Sequence, residues 1–288
     1  MMNAVYETSF TPVMADVTFA TAMQSTLVPP LCYRGDCIEA VGQCIPKDQV
    51  GGDLMDLVAD GLEVITYVAD ISGHGLRAGV LMGMVKTAMR YGLLLRRPLK
   101  NLVSDLNRVL PQVKDPSMFA TMAALRFDGS KEVEYISAGH VPLLHFRKKS
   151  NDVVRHYAQQ HPLGLLAGDD CVSWRIRFDT GDILLLPTDG AVELGEERDT
   201  DAGLEVLART LRNFNKTPLP EILEIFQRAI SRQGAQYDDR TLLLVRALRG
   251  SEQPPLRQLH LNDAACCEVL ETRWNKMLAE LAADSEDD

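Results

Sequence analysis

Four acidic sites in the sequence share one arrangement that could hold a metal ion. Each has a carboxylate at or beside a strand end with a glycine or a second aspartate next to it, and they are Gly51-Gly52-Asp53, Asp70-Ile71-Ser72-Gly73, Thr188-Asp189-Gly190 and Asp238-Asp239. An aspartate beside a glycine is also a common turn residue, because its side chain bonds to local backbone. Several unpaired carboxylates gathered at partly desolvated strand ends would cost free energy. A divalent cation relieves that cost, and an oxygen-only set favours Mg²⁺ or Mn²⁺ over zinc.

The segment around Asp70 shows which elements must position these carboxylates. Residues 62–69 are rich in β-branched and apolar side chains, which predicts a largely buried strand that ends at Asp70. Residues 77–91 contain Ala, Leu, Met and Val without proline, which predicts a packed helix. The carboxylate therefore stands between a strand and a helix, where glycines let backbone approach a ligand closely.

The pattern of the rest of the chain predicts an α+β fold. Strand-like segments occur at 37–44, 62–69, 119–127, 132–138, 142–147, 171–178, 182–186 and 241–245. Many are joined by short Gly, Asp or Ser connections, which favours antiparallel pairing. Helices are predicted at 16–28, 76–91, 99–110, 217–230 and, near the end, 263–281. Two antiparallel sheets packed together, with helices on the outer faces, would bury every apolar face.

The sequence predicts that the chain is divided into three parts. Residues 1–30 form an N-terminal segment with a helix, residues 31–248 one catalytic domain, and residues 249–288 a linker, an amphipathic helix and an acidic tail. The N-terminal helix is expected to pack on the main domain or to serve dimerisation or signalling. Residues 193–236 are either a mobile flap that docks substrate or a pair of outer helices.

Composition excludes several classes of function. The net charge of −10 argues against nucleic acid as the main partner, because phosphate-binding surfaces are usually basic. No apolar run approaches the roughly 20 residues that span a bilayer, and no secretory signal opens the chain, so a cytoplasmic protein without a membrane partner is expected. The six cysteines form no Cys-x-x-Cys pair, which argues against a zinc site.

These motifs resemble those of the PPM (PP2C-like) metal-dependent serine/threonine phosphatases, in the bacterial SpoIIE/RsbU-like branch. The resemblance spans about residues 24 to 247. Its motifs, in family order, are Gly51-Gly52-Asp53-Leu54-Met55-Asp56, Ala69-Asp70-Ile71-Ser72-Gly73-His74-Gly75, Phe119-Ala120-Thr121-Met122, Ser137-Ala138-Gly139-His140-Val141-Pro142, Pro162-Leu163-Gly164, Thr188-Asp189-Gly190 and Asp238-Asp239-Arg240-Thr241. A single motif is weak evidence, and seven in order are strong evidence. Two residues depart from the family pattern: Pro187 replaces a usual strand former, and Met55 replaces a frequent aromatic residue.

The resemblance implies an αββα four-layer sandwich and two Mn²⁺ or Mg²⁺ ions between the sheets. Asp70 would bridge both metals, and the Ile71 carbonyl would contact one of them. Asp189 and Asp238 would complete the other metal, with Asp239 as the alternative to Asp238, and Asp53 would hold a metal-bound water. His74 and His140 match motif positions but receive no proton-transfer role.

The resulting prediction is a phosphoserine/phosphothreonine protein phosphatase with Asp53, Asp70, Asp189 and Asp238 as catalytic residues. Two metals can activate water, so no protein nucleophile is needed, and the sequence contains no Cys-x5-Arg loop. By resemblance the substrate is a phosphorylated regulator, such as a STAS-type anti-sigma-factor antagonist. Because only about 30 residues precede the domain, control is expected from an upstream activator protein or from homodimerisation. Two alternatives stay open: a non-catalytic metal-binding module that docks a partner, and a hydrolase of small phosphoesters.

Overall fold

Two antiparallel β-sheets pack face to face in the computed structural model, which describes residues 20–158, 160–166, 170–193, 197–232 and 234–248. The strands are β1 (Leu31–Arg34), β2 (Ile38–Ile45), β3 (Leu54–Asp60), β4 (Glu63–Ile71), β5 (Ala120–Phe127), β6 (Glu132–Ala138), β7 (Leu143–Arg147), β8 (Asp152–His156), β9 (Trp174–Arg177), β10 (Ile183–Pro187) and β11 (Arg240–Ala247). The helices are α1 (residues 20–27), α2 (Leu76–Leu94), α3 (Leu99–Val113), α4 (Thr200–Phe214) and α5 (Leu219–Ser231).

The strand order leaves one edge of each sheet beside the other. The first sheet runs β1-β2-β11-β10-β7-β8, and the second runs β3-β4-β5-β6-β9. Strands β8 and β9 are therefore terminal strands of different sheets. The long strands β2, β4 and β11 are buried along most of their length, because both of their faces are covered.

The helices form the two outer layers. Helix α2 packs on β3 and β4 of the second sheet and on α3, whereas α4 and α5 cover β7, β8, β2 and β11 of the first sheet. Apolar residues of α5 recur at helical spacing and are fully buried, as Leu219, Leu223 and Phe226 show. One core cluster joins the two sheets to α2 and α3, and a second joins the first sheet to α4 and α5. The predicted αββα sandwich is confirmed.

Most predicted strands and helices are present, with shifted ends. The strand predicted at 171–178 is shorter, because the backbone N–H groups of Cys171 and Val172 bond instead to the side chains of Ser104 and Gln160. Strands β1, β3 and β8 and helix α4 were not predicted as separate elements. Of the two alternatives for residues 193–236, the described residues form the outer helix pair α4 and α5.

Some predictions lie outside the described residues. These are the start of the N-terminal helix, the linker after residue 248, the helix at 263–281 and the acidic tail. Within the described part of the chain, no helix combines the length and the apolar character that crossing a membrane requires.

Candidate active site

The sheet register brings the predicted carboxylates to one end of the sandwich. In the second sheet Leu54 pairs with Ala69, so the next pair along places Asp53 opposite Asp70. In the first sheet Pro187 pairs with Leu242, so Asp189 follows β10 where Asp238 and Asp239 precede β11. Each sheet therefore contributes acidic residues to the same edge of the fold.

The close approach of these chain segments depends on glycine. A Cβ atom on Gly190 would lie 2.2 Å from the Asp239 carbonyl oxygen, and one on Gly51 would lie 2.1 Å from Asp239 Oδ2. Neither position has room for a side chain. The glycines beside the aspartates thus allow backbone from both sheets to meet around the carboxylates.

Asp53 is held by two threonines of the first sheet. Its Oδ2 accepts hydrogen bonds from Thr188 Oγ1 at 2.8 Å and from Thr241 Oγ1 at 2.6 Å, and the side chain is fully buried. The two threonines are also joined to each other, because the Thr241 N–H donates to Thr188 Oγ1 at 2.9 Å. Asp53 thereby links the second sheet to the first, and one of its oxygens is occupied.

The two adjacent aspartates have different surroundings. Asp239 is buried, and its carboxylate accepts the backbone N–H groups of Lys47 at 2.7 Å, Gly52 at 2.6 Å and Asp53 at 3.3 Å. Asp238 is half-buried, and its Oδ1 accepts only the N–H of Asp239 among the described hydrogen bonds. Asp239 therefore fixes the loop before β3. Asp238 makes fewer hydrogen bonds, so its carboxylate has lone pairs available for another ligand.

Burial and the neighbouring carboxylates raise the pKa values of Asp53, Asp70 and Asp189. Burial raises the pKa of Asp70 to about 8, and the charges of Asp189 and Asp238 add to the shift. Burial, followed by the charges of Asp238 and Glu193, raises the pKa of Asp189 to about 6. The pKa of Asp53 is raised well above its usual range by burial and then by Asp70. The dominant neighbouring charges are all negative.

This electrostatic situation fits divalent cations in charge and in donor chemistry. The cluster offers carboxylate oxygens, which Mg²⁺ and Mn²⁺ prefer, and its negative charge is not balanced by a nearby lysine or arginine among the dominant contributions. Within the described residues, no three His, Cys, Asp or Glu side chains converge as a ready-made ligand set. The carboxylates are gathered in one place without forming a closed cage.

Other motif residues take supporting positions. The Ile71 carbonyl oxygen would lie 2.7 Å from a Cβ on Gly52, so it faces the loop that precedes Asp53. His140 is buried, its Nδ1 lies 2.7 Å from Thr121 Oγ1, and burial lowers its pKa to about 4, so it is neutral at pH 7. His74 is exposed and lies 3.3 Å from Asp48.

The structure also adds residues that motif reasoning did not assign. Glu193 contributes negative charge to both Asp70 and Asp189, and no sequence pattern marked it. Thr188 and Thr241 belong to the quoted motifs, and their spacing before Asp189 and after Asp239 could have indicated hydroxyl donors. Cys44 is buried beside the cluster, and burial together with Asp53 raises its thiol pKa, so the thiol is protonated at pH 7.

The two departures from the family pattern are accommodated. Pro187 is the last residue of β10, where the missing N–H does not interrupt a ladder. Met55 is fully buried, and its sulfur would lie 2.8 Å from a Cβ on Gly42 of the facing sheet. Met55 therefore fills space between the sheets.

Comparison with known proteins identifies the family of this chain. The family model described as stage II sporulation protein E (SpoIIE) matches residues 60–248, about two thirds of the chain. The phosphoserine phosphatase RsbU of Bacillus subtilis (strain 168) is 26% identical over 240 residues, which cover 81% of this chain and 70% of RsbU.

Solved structures share the fold. A structure of the RsbU and RsbW domains of Rv1364c from Mycobacterium tuberculosis superposes with a TM-score of 0.68 at 23% identity, covering 87% of this chain and 70% of the other. The catalytic domain of the serine/threonine protein phosphatase PstP, solved with two manganese ions, gives a TM-score of 0.55 at 14% identity, covering 74% and 99%. At these identities the likeness establishes the fold.

Proposed function

The chain belongs to the SpoIIE family of PP2C-type protein phosphatases, and we propose that it hydrolyses phosphoserine or phosphothreonine on a regulatory protein with the help of two divalent cations. The observation that carries this proposal is the group of mutually repelling carboxylates from both sheets, with Asp70 at its centre. Burying such a group costs free energy when no positive charge is present, and bound cations would offset that cost.

Residues of the cluster have separate roles in this proposal. Asp70, Asp189 and Asp238 would hold the cations, together with the Ile71 carbonyl. Asp53 would contribute through the oxygen that Thr188 and Thr241 leave unoccupied. Two bound cations would lower the pKa of a water molecule and neutralise the charge of the phosphoryl group.

Asp239 acts in this proposal as a positioning residue. Its three backbone hydrogen bonds hold the loop that carries Asp53, so it acts on the site through that loop. We therefore assign the ligand position to Asp238 and the loop-fixing role to Asp239.

Hydrolysis would proceed without a covalent enzyme intermediate. The thiol of Cys44 is buried and protonated at pH 7, so it is not a nucleophile. Phosphoryl transfer depends mainly on positioning and charge neutralisation, which the carboxylate cluster can organise. Rapid quenching of a single turnover followed by mass spectrometry should show no phosphorylated aspartate, and a phospho-aspartate at any of the named positions would contradict the proposal.

The substrate is proposed to be a phosphorylated STAS-type regulator in a partner-switching pathway. Support comes from RsbU, which is named as a phosphoserine phosphatase, and from the Mycobacterium tuberculosis protein in which RsbU and RsbW domains occur together. Control by an upstream activator or by homodimerisation is part of the same proposal.

Phosphate release from a phosphoserine peptide and from free phosphoserine tests the proposal. We expect Mn²⁺-dependent release from the peptide, its loss in Asp70→Asn, and its retention in the control Asp60→Asn, which changes an exposed carboxylate on β3. Equal rates in the presence of a chelator, or a preference for free phosphoserine, would contradict it.

A further inference from the structure

One arginine contacts both of the chain segments that carry Asp189 and Asp238 into the candidate active site. The guanidinium carbon of Arg198 lies 5.2 Å from the centre of the Tyr237 ring, and Tyr237 immediately precedes Asp238. Arg198 also lies 3.7 Å from the carboxylate of Glu193, whose backbone N–H donates to the Asp189 carbonyl at 2.7 Å. The arginine is therefore held beside the carboxylate cluster.

The guanidinium of Arg198 has hydrogen-bond donors available for a ligand. Its side chain is 52% exposed, and the 3.7 Å between its Nη1 and the Glu193 Oε2 is longer than a hydrogen bond. Stacking on Tyr237 restrains the group without using an N–H, because the attraction is to the face of the ring. A guanidinium carries five N–H donors in one plane, and neither of these two contacts is a hydrogen bond.

The charge of the site explains why a further cation is needed there. Two divalent cations would balance the four carboxylates of the cluster when all of these are ionised, so the loaded site would have no surplus positive charge. Glu193 adds negative charge, which acts on both Asp70 and Asp189. A phosphate monoester itself carries a charge of about −1.5 to −2 at pH 7. Its binding is therefore favoured by a positive side chain at the edge of the cluster.

Arginine is the side chain whose geometry best fits this task. A guanidinium can bind a phosphoryl group through two parallel N–H···O hydrogen bonds, which fix its orientation as well as its position. The ion pair between Arg198 and Glu193 is partly exposed to water, so exchanging the carboxylate for a phosphoryl group costs little.

We propose that Arg198 binds the phosphoryl group of the substrate at the edge of the site next to Asp189 and Asp238. This inference rests on the proposed phosphatase function, because it assigns Arg198 to a site that receives a phosphate monoester. Arg198 supplies affinity and orientation, and activation of water is left to the cations.

Binding of inorganic phosphate, the product of the reaction, tests Arg198 without any need for turnover. The full-length protein is dialysed to equilibrium against radiolabelled phosphate in a buffer that contains Mg²⁺, one of the two cations proposed. Arg198→Gln should raise the Kd for phosphate at least about tenfold, because the charged donor pair is lost. Arg198→Lys should recover part of the affinity, since it keeps the charge and loses the planar fork.

Hydrolysis of an aryl phosphate gives a second readout. This substrate offers little besides its phosphoryl group, so its KM reports on the contacts to that group. Arg198→Gln should raise the KM at least about tenfold and change kcat by less than about threefold, because the arginine holds the phosphoryl group in the ground state as well as in the transition state.

The matched control is Arg96→Gln. Arg96 and Arg198 are both exposed, both pair with a carboxylate and both have a positive φ, of 53° and 49°. Arg96 pairs with Asp60, the last residue of β3, whereas Asp53 precedes the first residue of that strand, so roughly 20 Å separates the two ends. Arg96→Gln should leave the Kd for phosphate and the KM unchanged.

Binding of Mn²⁺, followed by electron paramagnetic resonance, separates loss of phosphate binding from damage to the metal site. The guanidinium is not a metal ligand, so Arg198→Gln should bind Mn²⁺ at least as tightly as the unmodified protein. Because Arg198 is on the surface, the variant is expected to fold, which its melting temperature verifies.

Four results would overturn the inference. They are the absence of saturable phosphate binding to the unmodified protein up to high millimolar concentrations, a Kd in Arg198→Gln within about twofold of the unmodified value, an equal rise of the Kd in Arg96→Gln, and weaker Mn²⁺ binding in Arg198→Gln. Failure of the proposed function gives a different result, namely no metal-dependent turnover in the unmodified protein. The phosphate measurements then decide on Arg198 by themselves.

Discussion

Replacing Asp70 with asparagine is expected to stabilise the metal-free protein at pH 8 while removing its activity. The folded-state pKa of Asp70 is about 8, against 3.8 for an ordinary aspartate. A carboxyl group with a raised pKa favours folding at low pH, and this contribution is lost as the pH rises from about 4 to about 8. Asparagine is uncharged at every pH and does not incur that loss.

The magnitude follows from the pKa difference. The shift corresponds to about 6 kcal/mol as an upper limit at pH 8 and above. Asp70 is incompletely buried, so water screens part of the repulsion, and we expect a net gain of about 2 kcal/mol in the free energy of unfolding. For a domain of this size that is a rise in Tm of about 4–8 °C.

Thermal unfolding in the presence of a chelator measures this difference. Asp70→Asn should unfold at a higher temperature than the unmodified protein at pH 8. The gap should shrink as the pH falls and approach zero only below about pH 4, where the aspartate is protonated in the unfolded chain as well. The control is Asp60→Asn, which removes an exposed carboxylate on β3 and should shift Tm little at either pH. An Asp70→Asn protein that is less stable at pH 8, or a gap that does not depend on pH, would refute the electrostatic reasoning.

Four further substitutions test other parts of the proposed site and fold. Asp238→Asn should raise the Mn²⁺ concentration for half-maximal activity by about 10–100-fold. Asp239→Asn should mainly lower the free energy of unfolding, by about 1–3 kcal/mol, because one of the two oxygens that accept backbone N–H groups is replaced by an NH₂ donor. The reverse pattern would exchange the two roles. Asp56→Ala should cost about 3 kcal/mol in urea unfolding, because Asp56 is buried and accepts two hydrogen bonds from Arg90; a loss under 1 kcal/mol would contradict this. Gly190→Ala should destabilise by about 1–3 kcal/mol, since its Cβ would meet the Asp239 carbonyl, and unchanged stability would show that the backbone can move apart.

The order of the motifs was sufficient to predict the fold. Three of the four acidic motifs adjoin strands that the apolar pattern predicts, at 62–69, 182–186 and 241–245, so their carboxylates come together once two antiparallel sheets form. Strand β3 (Leu54–Asp60), which follows Asp53, was not predicted. Family membership and the four-layer sandwich, both predicted in this way, are confirmed. The assignment of individual metal ligands stays a prediction.

Features that depend on tertiary contacts could not be predicted. Asp238 and Asp239 are adjacent in sequence, and only the backbone N–H groups around Asp239 distinguish their surroundings. Strand β8 is short and contains only two apolar residues, Val153 and Val154, so its sequence resembles that of a loop. Strands β8 and β9 are terminal strands of different sheets and line the same cavity. They lie about 20 positions apart in sequence, so their proximity depends on the topology of the sheets.

The most direct test of the central claim is hydrolysis of an aryl phosphate by purified protein after removal of metal with a chelator. We expect no turnover in the stripped protein, recovery of turnover when Mn²⁺ is added, and no recovery in Asp70→Asn. Turnover that persists without metal, or that returns with Mn²⁺ in Asp70→Asn as it does in the unmodified protein, would contradict the claim that the carboxylate cluster is a metal-dependent phosphatase site.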